Sequence, residues 1–155
     1  MKLRASTVVA SVFGIGYFSV AQGTIMSAVA LPLGFLIMMK FTWMGLFSAA
    51  LIVFSLGIFA CAEHMRETGR DDPPECVIDE LAGQWFACVF APLSLPAFAL
   101  AFILFRLFDI WKPWPVSWGE SLSGGVGVMA DDLIAGVMAG AIVLAIHLSH
   151  VSDVL

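Results

Sequence analysis

Acidic side chains occur at three places that each border an apolar segment of the chain. Asp79 and Glu80 are adjacent, Asp109 follows a long apolar run, and Asp131 and Asp132 precede another. Carboxylates that converge repel one another unless a cation neutralises them, and a site made only of oxygen ligands favours Mg²⁺, Ca²⁺ or Mn²⁺. If the fold brings these five acids together, they form a divalent-cation site.

Two basic residues flank Asp109. Arg106 lies three residues before it and Lys112 three residues after it, so Arg106 and Asp109 share one face of a helix. A guanidinium offers a phosphate a fork of donors, and an ammonium offers it a point charge. Carboxylates, a metal and paired bases are typical of phosphoryl chemistry. From the residues alone, two other interpretations stay open: a structural ion pair at the membrane boundary, and an acidic pathway for an ion or solute.

The cysteines and histidines do not support another phosphatase mechanism. Neither Cys61 nor Cys76 has an arginine six residues later, as a cysteine phosphatase requires. The three cysteines are odd in number and lie in or beside apolar segments, so we predict structural, reduced thiols rather than a disulfide framework or a zinc site. The three histidines are too scattered for a catalytic triad; they are His64, His147 and His150.

The composition places this chemistry in a membrane. Of 155 residues, 61% are hydrophobic and 12% charged, which does not suit the surface of a soluble monomer. The net charge of -5 argues against nucleic acid as a partner and against a polybasic membrane-surface helix. Lys40 is the only formal charge between residues 5 and 62, whereas residues 63–80 carry nine charged side chains. Such segregation is what a bilayer requires.

Four apolar segments are long enough to be helices in or across a bilayer: residues 25–39, 42–62, 85–108 and 133–149. A weaker segment, residues 6–20, is compatible with a helix at the interface or with one that crosses. Lys2 and Arg4 stand near its start, but no small-residue cleavage site closes it, so we predict no removed signal peptide. The predicted fold class is an all-α, multi-helix integral membrane bundle in a single domain, residues 1–155.

Two prolines interrupt the third apolar segment. Pro92 and Pro96 each remove a helical hydrogen bond and disfavour helix at the preceding residue, which favours a turn. Asp79 lies 13 residues before Pro92, and Asp109 lies 13 residues after Pro96. Two antiparallel arms of roughly 20 Å would therefore hold both carboxylates at one level. A straight helix would instead put them on opposite sides of the membrane.

A second hairpin is predicted at the short break formed by Lys40 and Phe41. One end of the bundle, which we call the acidic rim, then carries residues 23–27, 79–80, 106–112 and 119–132. By the positive-inside rule, four bases on the rim side against Lys40 at the other end favour a rim in the cytoplasm. These bases are Arg66, Arg70, Arg106 and Lys112.

The start of the last helix decides the roles of two neighbouring acids. Residues 119–128 are rich in glycine and are predicted to form a flexible connection, so Asp131 and Asp132 would open the helix. Asp132 shares a stripe with Gly136 and Gly140, which lets another helix approach closely, so Asp132 should point into the bundle. Asp131 is then the better candidate for the helix cap. Three tryptophans before this segment are typical of an interfacial belt; they are Trp111, Trp114 and Trp118.

Three strings of residues resemble the phosphatidylglycerophosphatase A family: IDELAG at 78–83, FRLFDIWKPWP at 105–115 and GGVGVMADDLIAG at 124–136. Their order and spacing also match, and the resemblance covers roughly residues 20–145. It implies a mostly helical enzyme of the bacterial inner membrane. Such an enzyme uses Mg²⁺ to hydrolyse phosphatidylglycerophosphate, a phospholipid in the bilayer, to phosphatidylglycerol and phosphate.

The resemblance also implies roles for individual residues. Asp79, Glu80, Asp109 and Asp132 would be catalytic and, with Asp131, would hold the metal ion and position a water; a carboxylate nucleophile is the other possibility. Arg106 and Lys112 would bind the phosphate. Where the family usually shows PGTWGS, this chain has QGTIMS, which retains three candidate substrate-binding residues: Gly23, Thr24 and Ser27. The alternatives are a phosphatase for another lipid phosphomonoester, such as phosphatidic acid, and a small cation channel or transporter.

Overall fold

The chain folds as a bundle of α-helices. The computed structural model describes residues 4–18 and 20–152, and within these ranges it contains no β-strand. The helices are α1 (Ala5–Ala10), α2 (Gln22–Thr68), α3 (Ile78–Val89), α4 (Leu95–Trp111), α5 (Val116–Glu120) and α6 (Gly124–Ser152), with a 3-10 turn at Ile15–Tyr17. The predicted all-α class is confirmed.

Helix α2 is a hairpin of two arms. Its helical geometry breaks at Thr42, which has a φ of 62° and a ψ of -175°. The chain reverses there. A contact between the two arms shows this reversal: a Cβ on Gly34 in the first arm would lie 3.6 Å from Leu46 Cδ1 in the second. The predicted hairpin is therefore confirmed, two residues beyond Lys40.

Helices α3 and α4 form the hairpin that Pro92 and Pro96 predicted. Helix α3 ends at Val89, and α4 begins at Leu95 with Pro96 in its first turn, where proline is tolerated. Ser94 caps α4, since its side chain accepts a hydrogen bond from Ala97 N at 3.4 Å. A straight crossing over residues 85–108 is thus excluded.

Helix α6 begins earlier than the sequence indicates. Its first residue is Gly124, so residues 124–128 are helical, and the prediction of a flexible connection over them is wrong. Gly125 is needed for contact rather than for flexibility, because a Cβ there would lie 2.8 Å from Ala62 N of α2. Asp131 consequently lies inside the helix, and its predicted role as the cap is also wrong.

The small-residue stripe of α6 contacts another helix, as predicted, and the structure shows that this helix is α3. A Cβ on Gly136 would collide with the Gly83 backbone, and one on Gly140 would lie 3.0 Å from Ala87 O. Asp132, on the same stripe, is 3% exposed. The close contact between α6 and α3 therefore holds Asp132 in a buried position beside α3.

The N-terminal segment is too short to cross a membrane. Helix α1 has six residues, or about 9 Å of rise, against a hydrocarbon core of about 30 Å. Val12 and Phe13 then take left-handed conformations and end the helix. Lys2 and Ser19 lie outside the described residues. The segment belongs to the acidic-rim end, where Arg4 Nη1 donates to Glu67 Oε1 at 2.8 Å.

The thiol prediction is wrong for two of the three cysteines. The structure pairs Cys61 of α2 with Cys76, two residues before α3, in a disulfide, and Cys88 is free and buried. The pairing depends on the return of α2 to the rim, which brings residues 15 apart in sequence together. Spacing along the chain does not reveal such a contact.

Apolar surface covers the outside of the bundle. Helices α2 and α6 are long and apolar enough to cross a membrane, and the two arms of α2 span about 30 Å and about 39 Å. Large apolar side chains lie exposed on α2, among them Ile52, Leu56 and Phe59. Trp111, Trp114 and Trp118 are also exposed at the acidic rim, as an interfacial belt requires. The protein is an all-α membrane bundle.

Candidate active site

Three carboxylates from three helices converge at the acidic rim. Glu80 of α3, Asp109 of α4 and Asp132 of α6 each offer an oxygen, and these oxygens lie within 4.8 Å of one another. The α3–α4 hairpin brings Glu80 and Asp109 to the same end of the bundle. Asp132 joins them because Gly136 and Gly140 let α6 pack closely against α3. The convergence predicted from the sequence is thus present for these three acids.

Asp79 stands beside this group at the start of α3. Its Oδ1 accepts a hydrogen bond from Glu80 N at 2.9 Å, and both residues lie in the first helical turn, where the helix dipole favours negative charge. Asp79 lines the same cavity as the three converging acids. One carboxylate oxygen therefore serves the helix start, and the residue remains next to the reaction space.

Arg106 ties two of the converging acids together. Its Nη1 donates to Glu80 Oε2, and it pairs with Asp109 Oδ2 at 2.8 Å. All three side chains are less than 15% exposed. The predicted i, i+3 pairing of Arg106 with Asp109 is present, but Glu80 is a further partner that the spacing does not reveal. Arg106 holds the carboxylates and does not line the cavity.

Lys112 is the base that faces the cavity. Its Nζ donates to Glu120 Oε1 at 2.8 Å and to Asp131 Oδ2 at 2.9 Å. Burial acts to lower the pKa of Lys112, but the hydrogen bonds and charges of Glu120 and Asp131 outweigh burial and raise it. Lys112 therefore stays charged, with one of its three ammonium donors left for a ligand.

Asp131 and Asp132 have different surroundings. Asp131 Oδ1 accepts from Asp132 N at 3.0 Å, and its Oδ2 accepts from Lys112. Asp132 Oδ2, in contrast, is buried and has no hydrogen-bond partner among the residues that the structure describes. A buried, unpaired carboxylate oxygen next to two further carboxylates is costly unless a cation is bound. The donor set, all oxygen and negatively charged, fits a hard divalent cation.

A cavity of about 540 Å³ opens onto these residues. It is strongly acidic, because eight carboxylate residues line it with Lys112: Asp71, Asp72, Asp79, Glu80, Asp109, Glu120, Asp131 and Asp132. Three of these acids, Asp71, Asp72 and Glu120, were not predicted as site residues. The sequence signals for them are the acidic run before α3 and the position of Glu120 five residues after the KPWP string at 112–115.

The three residues of the QGTIMS string do not share one environment. Gly23 lines the cavity together with Gln22, which the sequence did not single out. Ser27 is completely buried and hydrogen-bonds to Glu80. Neither Thr24 nor Ser27 lines the cavity. Within this string, Gln22 and Gly23 are therefore the residues in position to touch a ligand directly.

A helical membrane bundle with a carboxylate site at one end is the class of protein that this fold and this site define. The family described as Phosphatidylglycerophosphatase A matches residues 8–147. The chain belongs to the phosphatidylglycerophosphatase A family, as the three strings predicted. No solved structure matches it.

Two similar proteins carry the family's name, and a third is named for a different phosphatase. Phosphatidylglycerophosphatase A of Escherichia coli (strain K12) is 33% identical over 133 residues, which cover 84% of this chain and 76% of the relative. The protein of the same name from Haemophilus influenzae is 34% identical over 135 residues, 85% of this chain and 78% of the relative. A Bacteroides thetaiotaomicron relative, provisionally named a phosphatidylinositol-3-phosphatase, is 37% identical over 133 residues, 81% and 82% of the two chains.

Proposed function

We propose that this protein hydrolyses the phosphomonoester of phosphatidylglycerophosphate to give phosphatidylglycerol and phosphate, in phospholipid biosynthesis. The observation that carries the proposal is the convergence of Glu80, Asp109 and Asp132 at one end of a membrane bundle. Two relatives that match over most of the chain are named for this activity. A channel or transporter would need acids through the membrane depth, whereas these acids gather at the rim.

We assign Mg²⁺ as the cofactor, with Glu80, Asp109 and Asp132 as its ligands and Asp79 and Asp131 beside them. The unpaired Asp132 Oδ2 and the all-oxygen donor set support this assignment. A bound divalent cation would supply Lewis-acid polarisation of the phosphoryl oxygens. Arg106 stabilises the site by holding Glu80 and Asp109 at the correct separation.

The other residues of the cavity have roles in the transfer itself. The free ammonium donor of Lys112 binds a phosphate oxygen and offsets the charge that develops during transfer. Asp79, which lines the cavity and uses its Oδ1 at the helix start, accepts a proton from the attacking water. The water oxygen bonds to phosphorus while the bond from phosphorus to the glycerol oxygen breaks, and that oxygen takes up the proton that Asp79 accepted. Gly23 lines the cavity and leaves room for the Glu80 carboxylate, because a Cβ there would overlap Glu80 Oε1.

The lipid need not leave its leaflet to react. The exposed Trp111 and Trp114 flank Lys112, which lines the cavity, so a head group at the interface can enter while the acyl chains stay in the bilayer. The proposed location is the inner, or cytoplasmic, membrane of a bacterium, with the rim facing the cytoplasm. Arg66, Arg70 and Lys112 on the rim side support this orientation.

A second head group is favoured by one observation. The Bacteroides thetaiotaomicron relative, at 37% identity, is named for phosphatidylinositol 3-phosphate. That lipid also carries a phosphomonoester, so the same carboxylates and Lys112 could process it. The residues that contact the remainder of the head group decide between the two lipids.

Phosphate release by the purified, detergent-solubilised protein tests the proposal. The substrates are phosphatidylglycerophosphate, phosphatidylinositol 3-phosphate and phosphatidic acid, each with Mg²⁺, and the Asp109→Asn variant controls for contaminating phosphatases. We expect the highest kcat/KM for phosphatidylglycerophosphate and no release by the variant. A higher kcat/KM for phosphatidylinositol 3-phosphate would make that lipid the assigned substrate. Release from none of the lipids would refute the phosphatase function.

A further inference from the structure

Ser27 lies behind the active site rather than in it. Its side chain is completely buried in the first arm of α2, and it does not line the cavity. Its Oγ is 2.9 Å from Gly23 O and 3.1 Å from Glu80 Oε2. A serine hydroxyl has one proton, which here is shared between an ordinary helical carbonyl and a carboxylate of the site.

Glu80 is held from several sides. Ser27 and Arg106 both donate to its Oε2. Its carboxyl group also packs against Gly23, because a Cβ there would lie 2.7 Å from Glu80 Cδ and would overlap Oε1. The position of the carboxylate is therefore set by α2 and α4 together, although Glu80 itself belongs to α3.

We propose that Ser27 is a positioning residue that fixes the Glu80 carboxylate for cation binding. This inference rests on the proposed function, because it assigns Glu80 to the cation site. A hydrogen bond to a carboxylate restricts its rotation and orients its lone pairs, which is how residues outside the ligand set tune a metal site. Ser27 thereby acts on turnover through Glu80 and does not contact the lipid. The family string suggested Ser27 for substrate binding, whereas the proposed role is to position Glu80.

The test compares Ser27→Ala with Ser48→Ala in the full chain. Ser48 is a matched control, because its Oγ also donates to a carbonyl four residues earlier in α2, at 2.8 Å, but is exposed. Binding of Mn²⁺ without lipid is measured by electron paramagnetic resonance, and kcat and KM are measured with phosphatidylglycerophosphate and Mg²⁺. We expect Ser27→Ala to weaken Mn²⁺ binding and to lower kcat by about tenfold each, as outer-shell changes do. KM should stay unchanged, and Ser48→Ala should match the wild type.

Three results would overturn the inference. A raised KM with kcat and Mn²⁺ affinity unchanged would mean that Ser27 contacts the lipid. Equal behaviour of Ser27→Ala and Ser48→Ala would mean that the bond to Glu80 has no effect. Loss of folded protein for Ser27→Ala alone would make Ser27 a structural residue. If the wild type released no phosphate from any lipid, the proposed function would fail, but the Mn²⁺ comparison would still decide the role of Ser27.

Discussion

Adjacent aspartates in α6 have unequal surroundings, and this inequality predicts unequal effects of mutation. Asp132 places a buried oxygen without a described partner beside Glu80 and Asp109, whereas both oxygens of Asp131 accept hydrogen bonds. The Asn side chain keeps the size of Asp but removes the negative charge. We therefore expect the Asp132 change to act directly on the proposed cation site, and the Asp131 change to act through Lys112.

We expect Asp132→Asn to lower kcat by more than about 100-fold, beyond the effect of a typical outer-shell residue. Asp131→Asn should lower it by about tenfold, because it weakens only the orientation of Lys112. Both variants should remain folded and inserted, as judged by size-exclusion chromatography in detergent. Phosphate release gives the comparison. A larger loss for Asp131→Asn would transfer the central role to that residue.

At the scale of the elements, a buried polar network joins α1, α2 and the segment before α3. His64 Nε2 lies 3.1 Å from Glu75 Oε1, His64 Nδ1 lies 3.2 Å from Thr7 Oγ1, and Arg70 also donates to Glu75. Burial acts to raise the pKa of Glu75, but its own backbone N–H, Arg70 and His64 outweigh burial and lower it. The network fixes the segment that leads into Asp79.

The lowered pKa of Glu75 gives its contribution a defined pH dependence. The contribution is complete above the unfolded-state pKa of about 4.3 and is lost as the pH falls through the lower folded-state pKa. At pH 7 we expect Glu75→Gln to cost about 1–3 kcal/mol, or several degrees in Tm. The difference from the wild type should shrink below about pH 4.

Thermal unfolding in detergent between pH 3 and pH 7 measures this dependence. Glu63→Gln is the control, because Glu63 pairs with Arg66 at the exposed surface, where ion pairs contribute little. It should change Tm by less than Glu75→Gln at pH 7. A Tm difference for Glu75→Gln that is absent at pH 7, or that persists undiminished at pH 3, would contradict the role assigned to the network.

The elements also show which features a sequence can predict. Prolines and charge are local signals, and they located the α3–α4 hairpin and the break in α2. The start of α6 was missed, because glycines favour loops locally but here permit close contact with α2. The Cys61–Cys76 pair and the bonds of Ser27 and Arg106 to Glu80 join residues far apart in sequence. Composition and spacing carry no signal for such contacts.

At the scale of the whole molecule, the two hairpins put all the site residues at one end. The acids before α3 and the α5–α6 connection should therefore be accessible from the same side of the membrane. The test introduces Asp72→Cys or Ser121→Cys, both at exposed positions, into a variant from which Cys61, Cys76 and Cys88 have been removed.

We expect both positions to react with an impermeant thiol reagent from the cytoplasmic side only. A Leu93→Cys variant, with its cysteine in the turn between α3 and α4, should not be labelled from that side. The helical arms separate this position from the rim by roughly 20 Å. Activity of the unlabelled variants confirms that the fold persists without the native cysteines. Labelling of positions 72 and 121 from opposite sides would refute the hairpin arrangement, and labelling of both from the periplasm would reverse the orientation.

The removal and return of divalent cations tests most directly whether the converging carboxylates form a metal-dependent phosphatase site. Purified wild-type protein is treated with chelator, and phosphate release from phosphatidylglycerophosphate is followed as Mg²⁺ is added back. We predict that chelation abolishes release and that Mg²⁺ restores it in the wild type but not in Asp109→Asn. Unchanged release after exhaustive chelation would contradict the assignment of Glu80, Asp109 and Asp132 as a catalytic cation site.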